Sequence, residues 1–427
     1  MTIRRALYIL AACLLAATVA GCGKSGSSSG SAQVRFFNGL VDAGPINVSV
    51  GSKSPVSGLP FEGQTLYQGV DSGNQEFKVG IAGGTSTIID TTLSLNSSNY
   101  TYLVYGTSSA PTAQLLSDQI TDPVSGQFQI RVTNVAFGSS GLDVYITPPG
   151  ASLDTASPNI SNITYGTSST FTPLTPGSLQ LRLTLHNSKQ VIYDAGTVTF
   201  GDRVSYALVV YTKGSSALVN ATLFTIDSAG NGTLINSKIA QFKVVHAAPG
   251  TAAINAFVDG TVAFANIPYQ NASSYETLAA GTHNVTIDTV TAPGAVIASA
   301  QPPFPSATDT SVVVTGPPGA QTAVVLADNN LPGTTGSARV RFVNVATNLG
   351  AVDVLVNFAK RVSGLAPNTA SSYIELTEDT YAVNFDLAGT TTVVLTIPAV
   401  SVTAARTYTL YLVGTSGALT YVLTRDD

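Results

Sequence analysis

The chain has 427 residues, of which only 10 % are charged, 19 Lys and Arg against 24 Asp and Glu, where an ordinary soluble domain carries about 25 %. That composition excludes a highly charged disordered chain, a coiled coil and a basic nucleic-acid-binding surface. With 44 % hydrophobic residues, one Met and no Trp, it suits folded β-domains, and the length accommodates two to four of them.

Residues 1–21 read as a signal peptide: Arg4 and Arg5 form a positive start, and Ala6 to Ala20 form an apolar run too short for a transmembrane helix. The run ends in Val19-Ala20-Gly21-Cys22, which resembles the lipobox of bacterial lipoproteins. That resemblance implies lipidation at Cys22 and membrane attachment through the N-terminal lipid. Gly23 in place of Asp after the Cys is similar to the outer-membrane sorting choice of that family, so the expected location is the bacterial cell envelope, an outer-membrane lipoprotein facing periplasm or cell surface. Removing the signal takes away Cys13 and commits Cys22, so no disulfide is expected. The remaining 17 basic and 24 acidic residues give a net charge of −7, which disfavours nucleic acid as a partner. Residues 22–31 form a Gly/Ser tether. Within it, Gly26 to Gly30 formally matches a Gly-x-Ser-x-Gly nucleophile elbow, but a tether supplies neither the strand nor the helix that elbow needs.

Four copies of one unit follow. Val34-Arg35-Phe36-Phe37-Asn38, Ile130-Arg131-Val132-Thr133-Asn134, Phe242-Lys243-Val244-Val245-His246 and Val340-Arg341-Phe342-Val343-Asn344 share an apolar, basic, apolar, variable, polar pattern. Twelve residues after each start come Ile46-Asn47-Val48, Leu142-Asp143-Val144, Ile254-Asn255-Ala256 and Val352-Asp353-Val354. A small segment recurs at Gly58, Asn162, Asn266 and Gly364, and an aromatic at Tyr67, Phe171, Tyr275 and Tyr373. Both markers shift by eight residues in the second copy, which places an insertion between Thr147 and Ser161.

Alternating and β-branched runs, such as Ile46 to Val50, Tyr100 to Tyr105, Val204 to Tyr211 and Tyr408 to Val413, predict strands throughout. The resulting fold class is all-β: four tandem immunoglobulin-like β-sandwich domains of some seven strands each, after a signal peptide and flexible tether. Their expected spans are 32–120, 127–226, 239–329 and 337–427. A propeller and a transmembrane barrel are the rival β-forms, the first lacking a half-period and the second an apolar last strand. Linkers are expected at 121–126, 227–238 and 330–336, the longer second one looser than the others. Stacked end to end, such units would reach on the order of 100 Å, with neutral Thr, Ser and Asn solvating their outer faces.

Phe242-Lys243-Val244-Val245-His246-Ala247-Ala248-Pro249-Gly250 followed by Ile254 to Gly260 resembles the repeat of the bacterial family called domain of unknown function 4397. The likeness covers nearly all of the chain after the tether and is closest in the third copy. It implies a secreted or surface-anchored tandem array and carries no catalytic residues with it.

The remaining candidates read mainly as structure. His246 shares its slot with Asn38, Asn134 and Asn344, while His186 and His283 lack a second ligand at metal spacing. The Asn47, Asp143, Asn255 and Asp353 slot suits bonds to nearby backbone. Asp118, Asp227, Asp328 and Asp426 end the units, either capping turns or stiffening junctions through calcium. The recurring aromatics suit core or corner anchors, with sugar stacking the alternative. Glu375 with Glu378 or Asp379 pairs carboxylates in one copy only. No enzyme activity, metal or cofactor is expected. The function expected is a monomeric, non-catalytic array for surface interaction or spacing, with an unknown protein or glycan as partner; a carbohydrate- or peptidoglycan-binding module is the alternative, and an unrecognised enzyme the remote one. The candidate binding loop is the insertion, at Pro148, Pro149, Gly150, Ser157, Pro158 and Asn159.

Overall fold

The computed structural model describes residues 30–213, 218–334 and 336–426. The signal peptide, Cys22 and most of the tether lie outside the described residues. All regular structure among the described residues is β. In the first unit, β1 (Ser31–Leu40), β2 (Ile46–Val50), β3 (Lys53–Leu59), β4 (Gln68–Asp71), β5 (Gly73–Ile81), β6 (Thr87–Leu95), β7 (Asn99–Thr107) and β8 (Ala110–Ser117) form a sandwich. One sheet has the order β4-β1-β7-β8 and the other β3-β2-β5-β6. The expected seven strands are therefore eight. Only Ser72 separates β4 from β5, so the chain changes sheets at a single tight bend, with Gly73 at a φ of 94°.

The same plan recurs three times. In every unit the first strand pairs in parallel with β7 or its equivalent: β1 with β7, Phe128–Asn134 with Ser205–Thr212, Ile239–His246 with Asp309–Thr315, and Ser337–Asn344 with Thr407–Thr415. All other strand pairs are antiparallel. Each sandwich encloses its own apolar core; Val34, Phe36 and Tyr102 meet Val48, Phe77 and Val79 in the first, and Phe342 and Leu410 meet Val354 and Phe385 in the fourth.

The recurring polar slots hold the turns. Asn47, Asp143, Asn255 and Asp353 each accept, through a side-chain oxygen, the backbone N–H of Gly58, Asn162, Asn266 or Gly364 at 2.7–2.9 Å. Those four partners have φ of 54–64°, a left-handed conformation that Gly and Asn tolerate best. This explains why the small segment recurs at a fixed distance from the acid or amide. Asn38 donates to Leu59 O at 3.0 Å and accepts from Leu40 N–H at 3.1 Å, and Asn134 and Asn344 donate to Ile163 O and Leu365 O. All three are fully buried. Asn38→Ala is expected to lose about 1–3 kcal/mol of stability, because it orphans a buried carbonyl and a buried N–H; urea denaturation measures it.

The outer face of the sheet that holds this parallel pair does not meet water. Phe37, Leu103, Tyr105 and Leu116 of the first unit pack on Val135, Ala207, Val209, Tyr211 and Phe224 of the second. Val245, Ala247 and Val313 of the third pack likewise on Val343, Val345, Tyr411, Val413 and Val422 of the fourth. The units are thus two face-to-face pairs and not four sandwiches stacked end to end, and the neutral polar coat covers only the faces left outside. β7 and its equivalents are buried on both sides, which is why Tyr100 to Tyr105 and Tyr206 to Tyr211 read as nearly continuous aromatic and aliphatic runs.

The segment 227–238 is likewise no loose linker. Gly232–Ile235 adds a strand to Val219–Thr225, Ser237 accepts a hydrogen bond from Ser306 at 2.6 Å, and Ala307 of the third unit enters the core of the second.

Candidate functional site

The basic residue of the repeated pattern points into the face between paired units. In the first pair, Arg35 and Arg131 converge on Asp118, at 3.2 and 2.8 Å. Arg35 also donates through Nε to Thr101 Oγ1 at 2.7 Å, and crosses to the second unit to reach Thr225 O at 3.0 Å. Tyr67 and Thr101 donate to Asp118 Oδ2 at 2.8 and 2.6 Å. Burial pulls the Arg35 pKa below that of an ordinary arginine, against the opposing pull of Asp118.

In the second pair the exchange is reciprocal. Lys243 of the third unit pairs with Asp426 of the fourth, and Arg341 of the fourth with Asp328 of the third. Arg341 donates to Thr409 Oγ1 and to Ala327 O, both at 2.9 Å, while Tyr275 and Ser311 donate to Asp328 Oδ2 at 2.5 and 2.6 Å. All four charged side chains are at most 3 % exposed. Burial is the largest single influence and would lower the Arg341 pKa, but Asp328 and the weaker pulls of its other acidic neighbours together raise it.

The terminal acids thus have a role that neither turn capping nor calcium describes, except in the second unit. There Asp227 accepts the N–H groups of Ala229 and Gly230 at 2.9 and 2.7 Å, as a turn cap does. The added strand of that unit presses Gly230 against Tyr67, where a Cβ would approach the ring to 2.5 Å. The recurring aromatics cover the bases: Tyr67 over Arg35, Phe171 over Arg131, Tyr275 over Lys243 and Tyr373 over Arg341, at 4.9–5.1 Å from the ring centroids. Two residues before each aromatic, Thr65, Ser169, Ser273 and Ser371 accept the N–H of the residue following the base, at 3.0 Å in each unit. This hydroxyl at constant offset is a fifth periodic feature, present in the sequence but masked by the many Ser and Thr around it.

Residues with reactive side chains are similarly engaged. His246 is buried; its Nε2 lies 3.0 Å from Ala252 O and its Nδ1 accepts from Ala248 N–H, and burial lowers its pKa. His186 lies 3.0 Å from Asp143 and His283 lies 2.6 Å from Asp259. Asp353 is held at about 2 by its hydrogen bonds with Lys360 and the Gly364 N–H. Glu375 accepts from Thr334 at 2.5 Å and Glu378 from Ala404 N–H at 3.3 Å. Among the described residues no group of three His, Cys, Asp or Glu is arranged to hold a metal ion.

The insertion stands between Leu142–Thr147 and Ile160–Ile163. Pro148, Pro149, Gly150, Ser157 and Asn159 are exposed and Pro158 is half-buried. The loop is braced from below. Leu153 is buried, Arg182 donates to Ala151 O at 2.7 Å, Lys189 donates to Ala156 O at 2.5 Å, and Asn159 exchanges bonds with Val144 and Ile146. Its six expected residues therefore fall in two shoulders flanking the braced segment, Pro148 to Gly150 and Ser157 to Asn159, exposed but for half-buried Pro158.

Fold and site together define a tandem array of β-sandwich repeats joined in pairs by buried charge. The chain belongs to the family described as a domain of unknown function (DUF4397), whose pattern matches residues 32–145, 240–355 and 348–427. The unmatched stretch is most of the second unit, which carries the insertion and the added strand. No curated protein matches the chain. Among solved structures, it is similar to a family CBM26 module, CBMbc of Eubacterium rectale Amy13K, crystallised with maltoheptaose, at 12 % identity over 42 % of this chain and 91 % of that one, with a TM-score of 0.16. It is also similar to the Bacillus anthracis TIE protein, at 8 % identity over 87 % and 67 % of the two chains, with a TM-score of 0.16. Superpositions that loose transfer no ligand.

Proposed function

We propose that the protein is a lipid-anchored, non-catalytic component of the bacterial cell envelope that presents the second unit's insertion to a protein or glycan partner. The lipobox-like Val19 to Cys22 and the following tether support the anchor, and Gly23 supports the outer membrane as its site. The braced insertion is the observation that carries the reading. Arg182 and Lys189 are spent on holding its backbone, while both shoulders face solvent, the arrangement of a recognition loop on a rigid scaffold.

Two measurements check this. Cys22→Ala is expected to move the protein from the membrane pellet to the soluble fraction; retention in the pellet would exclude the lipid anchor. Replacing the shoulder residues Pro148, Pro149 and Ser157 by Ala leaves the brace intact, so the melting curve is expected to hold while capture of envelope components drops at least tenfold. Unchanged capture would sink the loop as the contact site. The glycan reading differs in outcome, since a glycan array would show binding by the full chain that the shoulder variant loses. Sugar stacking on the recurring aromatics is disfavoured, because those rings lie over buried bases.

A further inference from the structure

We propose that Lys243 and Asp426 condense into an intramolecular amide that covalently staples the third unit to the fourth. Three of the four basic slots hold a guanidinium, which stays protonated and does not act as a nucleophile; the third slot alone holds a primary amine. Lys243 is 2 % exposed and touches Oδ1 of Asp426, itself 1 % exposed, under the ring of Tyr275 at 4.9 Å. In such a site both ions lack hydration, and forming a neutral amide removes that cost. The linked residues stand 183 positions apart.

Burial is the largest pull on the Lys243 amine, toward neutrality, but its acidic neighbours together raise its pKa, so the amine is protonated at rest. The first event is a proton moving from Nζ to the carboxylate. Thr424 is placed to relay it, accepting from Nζ at 3.2 Å and donating to Asp426 Oδ1 at 2.6 Å. The freed lone pair attacks Cγ, the N–C bond forms, and one C–O bond breaks. The departing oxygen leaves as water with two of the three ammonium protons, and the third stays on the amide nitrogen. Charge is zero before and after, and no oxidant or co-reactant enters. Negative charge that gathers on the carboxyl oxygens in the tetrahedral intermediate meets the hydroxyls of Thr424 and of Thr409, which donates to Oδ2.

Proteolytic digestion of the folded full chain followed by mass spectrometry tests this. The expected product is the Lys243 peptide joined to the Asp426 peptide, lighter than their sum by one water. Lys243→Arg restores the base of the other three units, retains the ion pair, and is expected to give the two peptides separately. Finding them separate in wild-type protein, with an intact cooperative melt, would overturn the proposal.

Discussion

Asp118→Ala is expected to lower the stability of the first pair by about 3–5 kcal/mol, the largest single-site effect in the molecule. One carboxylate there serves two guanidinium groups, those of Arg35 and Arg131, and also accepts from Tyr67 and Thr101. Its removal leaves two buried cations facing each other with no anion between them. Replacing the three charges together, as Arg35→Met, Asp118→Leu and Arg131→Met, is expected to recover most of the loss, since a buried ion cluster and an apolar one of similar volume differ little in net stability. Urea denaturation followed by tyrosine fluorescence, convenient in a chain without Trp, measures both variants. A loss under about 1 kcal/mol in the single variant would show that water reaches the cluster.

Separating the units is the second large perturbation. The first sandwich produced alone, as residues 30–121, would expose Phe37, Leu103, Tyr105 and Leu116 on one sheet face. Each such side chain loses about 1.5–3 kcal/mol of burial when wetted, and the face also holds Arg35 beside Asp118. The isolated unit is expected to self-associate through that face or to unfold, whereas residues 30–238, holding both members of the pair, remain monomeric and melt cooperatively. Sedimentation velocity distinguishes the outcomes. A monomeric isolated unit with the melting midpoint of the pair would mean that the shared face contributes little.

The repeat, the sandwich and the hairpin caps were legible because each is local: alternation marks strands, and Asn47 meets Gly58 only eleven positions away. Pairing was not, because period two shows that a strand has two faces but not whether the outer one meets solvent. Arg35 reaches its second-unit partner, Thr225, 190 positions later. The scarcity of charge was a true signal, read as a polar coat when it meant a second buried face. A base repeated between apolar residues in a chain with so few charges was the more pointed clue. The insertion was placed correctly by the shift in offsets, but Leu153 sits among polar neighbours in sequence and gave no sign that it would anchor the loop.

The parallel pairing of β1 with β7 also governs how the molecule carries load. Gln33 lies opposite Asn99, and Asp118 returns to bond Asn99 O at 2.9 Å, so the chain enters and leaves the first sandwich at the same end of its strands. A pull on Ser31 therefore need not run the length of the strands before it reaches the second unit. It passes through Asp118 and its two arginines, a short ionic clasp across entry and exit. Entry, exit and clasp share one end of the sheet, so load passing between the two units is expected to fall on the first β1–β4 and β1–β7 pairs and on the Asp118 cluster together, sparing the far ends of the strands.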